Sequence, residues 1–308
     1  MAQFSCKNRN GKSVNWFVFD LKGYSGSSDQ TAQKASQTYP GVAFHYADND
    51  SKEWGPAENL KSPKNAIAVT LKQYYDNKNN KKKELFYLFY NDQAPVNEKK
   101  SHLNRAHAKG SLFSVTHPVS GLFIVYLTNA MRYIYPEVYG ITVPRNFLNR
   151  FPFLEDLKEL KKKRISNMSS LLQNFKSNGN VDFFAFSKTG KYNKDLYLDL
   201  IAKEMNVSLF AETWMNGAAK DLNSECTTKY KVINVKELNV AGDKFASNRD
   251  HSKWAIAENK TKPLVCIGDI NRQESQKKRG GGAVCLLNKN IWNLYNKSIT
   301  DVESCKVK

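Results

Sequence analysis

The sequence predicts an α/β (α+β) protein made of two similar sheet-and-helix halves packed around one shared site. Three observations carry this. Strand-like runs alternate with helical patterns along both halves of the chain, which argues for sheets covered by helices. The 308 residues, 41% hydrophobic and 12% aromatic, suffice for one large core or two of about 150 residues each. A His-x-Lys motif also occurs twice. His107-Ala108-Lys109 is followed 144 residues later by His251-Ser252-Lys253, and each copy precedes an apolar run and then an Asn at similar distance, Asn129 and Asn271. The halves are placed at 1-150 and 151-308, one motif in each.

Along the chain, the apolar run Val14 to Leu21 predicts a buried strand, and Val42 to Ala47 a second, leading into a polar turn from Asp48 to Gly55. Ala66 to Tyr75 reads as helix and Asn77 to Lys83 as a basic loop. Glu84 to Tyr90 is aromatic and continuous enough to lie centrally in a sheet. Ser111 to Val115 and Leu122 to Leu127, with a turn at Pro118 to Gly121, predict a hairpin. Leu154 to Gln173 reads as one basic helix, with Leu154, Leu157 and Leu160 at i+3 spacing and Lys161 to Arg164 exposed. In the second half strands are expected at Asp182 to Ser187, Ser208 to Trp214, Tyr230 to Val235, His251 to Ala257, Leu264 to Ile270 and Ala283 to Leu287, with a helix from Lys194 to Met205.

Forty-seven basic against 29 acidic residues give a formal charge of +18, which attracts polyanions without choosing among nucleic acid, glycosaminoglycan and anionic membrane. No apolar run approaches the roughly 20 residues of a membrane-spanning helix, so no membrane insertion is expected. The opening Met-Ala-Gln-Phe-Ser-Cys lacks the apolar stretch of a signal peptide, which suggests a cytosolic or a processed chain. Three of the five cysteines fall late in the chain, which favours disulfides in an oxidising compartment over zinc; sequons at Asn49, Asn167, Asn206, Asn259 and Asn296 point the same way.

On a strand, residues at i and i+2 share a face, so His251 and Lys253 would present an imidazole and an ammonium together. Such a pair suits a phosphodiester: the ammonium neutralises a non-bridging oxygen while the imidazole attacks phosphorus or protonates the leaving oxygen. His45, His102 and His117 sit in no such constellation and read as surface or hydrogen-bonded residues. The run Gly280-Gly281-Gly282 is a phosphate cradle or a tight connection beside a sheet, and Arg272 and Arg279 clamp phosphates or are simply solvated. No paired carboxylates suited to a metal-dependent nuclease stand out, so no catalytic metal and no cofactor is expected.

Several blocks together resemble the deoxyribonuclease II family: Asn15-Trp16-Phe17-Val18, Phe89-Tyr90-Asn91-Asp92-Gln93 with Pro95, His107-Ala108-Lys109-Gly110, Tyr135-Pro136-Glu137-Val138-Tyr139, Asp250-His251-Ser252-Lys253-Trp254, and Cys266 to Arg272 continuing to Arg279-Gly280-Gly281-Gly282 and Cys285. The resemblance implies a phospholipase D-like fold and a metal-independent acid endonuclease, secreted or lysosomal with its leader removed, leaving 3′-phosphate and 5′-hydroxyl ends on DNA. By matching positions, it implies that His107 and His251 divide nucleophile and general acid between them, either order being open; in the preferred order His107 attacks to form a phosphohistidine and His251 protonates the departing 5′ oxygen. Lys109 and Lys253 would hold the phosphate oxygens. From the repeat pattern and the basic residues near the glycine run, rather than from the resemblance, Asn129, Asn271, Arg272 and Arg279 are expected to bind substrate. The resemblance pairs Cys226 with Cys305 and Cys266 with Cys285. It places the superfamily carboxylate at Ser114 and Glu258, of which only Glu258 could act as one. The chain departs from the family pattern in having only seven residues between Leu127 and Tyr135, which leaves Cys6 without its partner, and in Tyr126 standing where a histidine is usual. Two other readings remain: a catalytically impaired secreted member that binds DNA or another polyanion, and a phospholipase D-like enzyme acting on lipid, which the charge and the blocks disfavour. A homodimer is left open.

Overall fold

A computed structural model describes residues 4–21, 42–80, 85–91, 106, 108, 110–115, 128–177, 179–215 and 220–305. The architecture is mixed α/β, with sheets of two, three, three and nine strands. The amino-terminal strands are β1 (Cys6–Lys7) and β2 (Ser13–Val14), then β3 (Phe17–Leu21), β4 (Ala43–Asp48) and β5 (Glu58–Asn59) in a second sheet. A third sheet has β6 (Leu85–Asn91) between β7 (Gly110–Val115) and β8 (Glu137–Thr142), so the aromatic run expected to be central is so. The second arm of the expected hairpin, Leu122 to Leu127, lies outside the described residues.

The remaining strands are β9 (Ser170–Lys176), β10 (Asp182–Lys188), β11 (Leu209–Thr213), β12 (Val232–Val240), β13 (Asp243–Ala246), β14 (Lys253–Ala257), β15 (Leu264–Gly268), β16 (Gly281–Leu287) and β17 (Ile299–Val302). They form the nine-stranded sheet in the order β13-β12-β11-β14-β15-β16-β10-β9, with β17 on β12. Only β11 and β12 run parallel among these pairs. The helix Lys289–Ser298, capped by Asn288, lays Ile291, Trp292, Leu294 and Tyr295 on the sheet. Trp292 Nε1 donates to Ala257 O at 2.8 Å, and the Trp254 and Tyr295 rings meet at 4.7 Å. Burying aromatics of this size stabilises by about 2–3 kcal/mol each. A separate core, including Phe86, Leu88, Met131, Ile134, Phe147 and Leu154, lies under the sheet of β6.

The amino-terminal sheet is tied to the large one by named contacts. Buried His45 sits between Gly55 O, 2.8 Å from Nδ1, and Asp243 Oδ2, 2.8 Å from Nε2, while Trp54 Nε1 donates to Ser298 Oγ at 3.2 Å. His45 is thus a hydrogen-bonded core residue, as expected; His102 and His117 lie outside the described residues.

Three expectations need correction. The single helix from Leu154 to Gln173 is instead the short turns Pro152–Leu154, Glu155–Lys158 and Leu160–Lys163, followed by β9. The i+3 leucines are all buried, but the helix breaks at Glu159 (φ −106°, ψ 28°) and turns extended at Arg164 (ψ 144°). The exposed residues 166–168 then cross over, and Phe175 stacks on Phe183 of β10 at 5.3 Å. The helix expected from Lys194 begins at Leu196, where Asp195 caps it by accepting from Tyr197 N, and winds as a π-helix to Ala202. Finally, β14 begins at Lys253, not His251. The Asp250 carboxylate accepts from Ser252 N at 2.9 Å and from Ser252 Oγ, a local turn that competes with the ladder.

Candidate active site

Antiparallel neighbours bring the end of one strand beside the start of the next. The end of β11, the start of β14, the end of β15 and the start of β16 therefore gather at one end of the large sheet, where Thr213 faces Lys253, Gly268 faces Ala283, and Lys188 at the end of β10 faces Gly281. The second His-x-Lys, Asp269, Asn271 and the triple glycine all lie there.

The glycines are explained by what surrounds them. A Cβ on Gly280 would come within 2.5 Å of Ile134 O, one on Gly281 within 2.6 Å of Asp269 Oδ1, and one on Gly282 against Phe186 O. Gly282 N donates to Asp269 Oδ1 at 2.7 Å, and Asp269 N to Gly282 O at 3.1 Å. Of the two readings of the run, the tight connection holds: Gly282's amide is engaged by Asp269, not open to a phosphate. Desolvation raises the partly buried Asp269 carboxyl from 3.8 to about 6, against the Gly282 hydrogen bond and the charges of Lys188, Lys253 and Arg279. Lys188, fully buried, donates to the carbonyls of Gln276 (3.3 Å), Lys277 (2.9 Å) and Arg279 (2.7 Å), holding the chain into the glycines. Its burial lowers its pKa to about 8, Asp269 and Asp195 opposing.

His251 is exposed just ahead of β14, so the shared strand face expected for it and Lys253 is not what joins them; Lys253 Nζ instead donates to His251 O at 2.8 Å. The imidazole stacks on the Trp214 indole, ring centres 4.3 Å apart and planes at 25°. Partial desolvation and then the Lys253 ammonium hold its pKa below the ordinary 6.5, with Asp250 pulling the other way. Asp250 is buried, and desolvation raises its carboxyl despite the Ser252 hydrogen bonds.

His107 and Lys109 lie outside the described residues, but their neighbours do not. Ala106 and Ala108 are buried in the amino-terminal core, Ala106 N donates to Tyr135 O at 3.4 Å, and Gly110 lies directly under the Tyr90 hydroxyl. Tyr90 is pushed up to about 12 by desolvation and, after it, by the charge of Asp269. Gly280 packed against Ile134 O is thus a point where the helical residues 128–134 meet the carboxy-terminal sheet, and the charge of Asp269 reaches Tyr90 on β6, the strand before the first motif. Asn129 is half-buried in those helical residues.

The other expected substrate-binding groups divide. Arg272 is 1% exposed, with Nε on Asp195 Oδ2 at 3.0 Å, Nη1 on Asn234 Oδ1 and Nη2 on Asn223 O at 3.3 Å. That guanidinium is a buried structural ion and does not face solvent. Asn271 is buried, its Nδ2 3.4 Å from Gln273 Oε1 and its Oδ1 without a hydrogen bond among the described residues. Arg279 is half-buried, and its charge reaches Asp269. Cys226 is bonded to Cys305 and Cys266 to Cys285, with Cys6 free. Glu258 is exposed beyond the far end of β14, too remote to orient His251. Sequence reasoning missed Asp269, although it quoted the block containing it, and Trp214 and Lys188, which only strand register brings to the site. Among the described residues no group of three His, Cys, Asp or Glu could hold a metal ion, and no helix is long and apolar enough to cross a membrane.

The chain matches the family model described as Deoxyribonuclease II over residues 5–130 and 126–305. It is 33% identical to "Cell-death-related nuclease 7" of Caenorhabditis elegans over 343 aligned positions, covering 99% of this chain and 89% of that one. It is 31% identical to "Plancitoxin-1" of Acanthaster planci (98% and 92% covered) and 28% identical to "Deoxyribonuclease-2-beta" of Homo sapiens (99% and 92% covered).

Proposed function

Since the chain belongs to the deoxyribonuclease II family and is a nuclease of that type, we propose that it hydrolyses DNA phosphodiesters without a metal, using His107 and His251 as a pair. The observation that carries this reading is the exposed His251 imidazole, its basicity depressed, beside Lys253 at the sheet end where Gly280 packs against Ile134.

His107 attacks phosphorus through an unprotonated ring nitrogen, the bond to the 5′ oxygen breaks, and His251 gives that oxygen its proton. Water then attacks the phosphohistidine, His251 takes a proton from it, and the P–N bond breaks to leave a 3′-phosphate. Lys109 and Lys253 neutralise the non-bridging oxygens, a part that a metal plays elsewhere, and Asn129, Asn271 and Arg279 are assigned to hold the substrate. His251 works as an acid only when protonated. Because its pKa lies below 6.5, the reaction runs in acid and fades toward neutral pH. An acidic, oxidising compartment, lysosomal or extracellular, suits both this chemistry and the two disulfides. Residues 1–150 and 151–308 are then two halves bringing one motif each.

Product ends test the mechanism. A duplex oligonucleotide digested in excess EDTA at about pH 5 should give ends that a polynucleotide kinase labels directly and that a polymerase extends only after phosphatase treatment. Cleavage that appears only on adding a divalent metal, or that leaves 5′-phosphates, would overturn it.

A further inference from the structure

An imidazole that acts in catalysis needs its ring plane fixed, commonly by a carboxylate or carbonyl on its second nitrogen. His251 has no such hydrogen bond among the described residues. The Asp250 carboxylate is engaged by Ser252, and Glu258 follows the opposite end of β14, where its own amide donates to Ser208 O at 2.8 Å. What the ring does touch is Trp214, face to face at 4.3 Å and 25°. Trp214 is itself pinned twice. Its Nε1 donates to Asn248 O at 3.0 Å, and its carbonyl accepts from Gln273 Nε2 at 3.4 Å, with Gln273 also donating to Asp221 Oδ1 at 2.8 Å. The neighbouring Thr213 is in register with Lys253, so ladder hydrogen bonding carries the indole to the second motif.

We propose that Trp214 is a positioning residue for His251: its indole face sets the plane of the imidazole, and so the direction in which the ring nitrogens meet the scissile phosphodiester. The proposal rests on the role given to His251 above. Offset stacking is strong enough to select one orientation of a ring otherwise free to turn, and small errors of aim at a reacting group are expensive in rate. The indole also covers one face of the imidazole from water, so its removal affects both aim and acidity.

The test compares Trp214→Phe, which keeps a ring to stack on, with Trp214→Leu, which fills space without one. With folding verified by near-ultraviolet circular dichroism, Trp214→Leu should lower kcat about tenfold or more with KM within about twofold, whereas Trp214→Phe stays within about threefold of wild type. The titration of His251, followed by nuclear magnetic resonance of labelled histidine and assigned with His251→Ala, should move up toward the ordinary value in Trp214→Leu. The pH–rate profile should move with it. Equal kcat and equal titration in the Phe and Leu variants would overturn the proposal. Full activity in His251→Ala would instead overturn the catalytic role of His251, and the titration comparison would still decide whether Trp214 acts on the ring. Should Trp214→Leu not fold, Trp214→Met replaces it with the same expectations.

Discussion

Replacing Asp269 with Asn should flatten the protein's stability against pH. The carboxyl sits between two strand ends, accepts from Gly282 N at 2.7 Å, and is raised by desolvation from 3.8 to about 6. A folded-state value above the unfolded one means that the folded protein binds the proton more tightly. The group's favourable contribution is then complete below pH 3.8 and is lost as pH rises through about 6. At about 1.4 kcal/mol per tenfold change in proton affinity the whole effect is about 3 kcal/mol, of which about 2.4 kcal/mol falls between pH 4 and pH 7. These are upper figures, because the side chain keeps some contact with water. Urea unfolding of wild type and Asp269→Asn at both pH values, disulfides intact, isolates the residue, since the other titrating groups cancel in the comparison. Wild type should lose roughly 2 kcal/mol more than the variant on going from pH 4 to pH 7. Parallel changes in the two proteins would refute the reasoning and return Asp269 to the ordinary carboxylates.

Three further outcomes follow from the packing. Arg272→Met should cost about 3–5 kcal/mol by urea unfolding, because it strands the buried Asp195 carboxylate, yet leave KM for DNA unchanged in the folded fraction. Gly280→Ala drives a methyl within 2.5 Å of Ile134 O and should cost about 1–3 kcal/mol in the same assay, with activity per folded molecule falling as the halves are displaced. Converting Cys226 and Cys305 together to Ser opens a closure of 79 residues and should cost about 4 kcal/mol, read as a fall in the urea midpoint.

The strands with apolar continuity were legible in the sequence: β6 and β10 were expected within a residue at each end, because a central strand is apolar on both faces. The error over Leu154 to Gln173 had a definite cause. Three leucines at helical spacing continue into Leu171 and Leu172, but the pairing of those residues with β10 comes from 182–188 and outweighs local periodicity. The helix Lys289–Ser298 went unread although Asn288 caps it and five of its residues are buried. At the site, His251 and Lys253 could be picked from the sequence because they recur as a pair. Arg272 was read as a phosphate clamp because charge in a sequence looks solvated; that Asp195, 77 residues away, neutralises it is visible only in the fold. Trp214 carried no signal at all until strand register set it against His251.

On the proposed mechanism, two His-x-Lys motifs, one from each half, act as one site without a metal. Plasmid cleavage in excess EDTA, at about pH 5 and about pH 7.5, by wild type beside His107→Ala and His251→Ala tests it most directly. Wild type should cut at the lower pH and less at the higher, and neither variant should cut at either pH. Cutting by either variant at the wild-type rate, or an intact plasmid in all three lanes with salt-sensitive retardation on the gel, would contradict it.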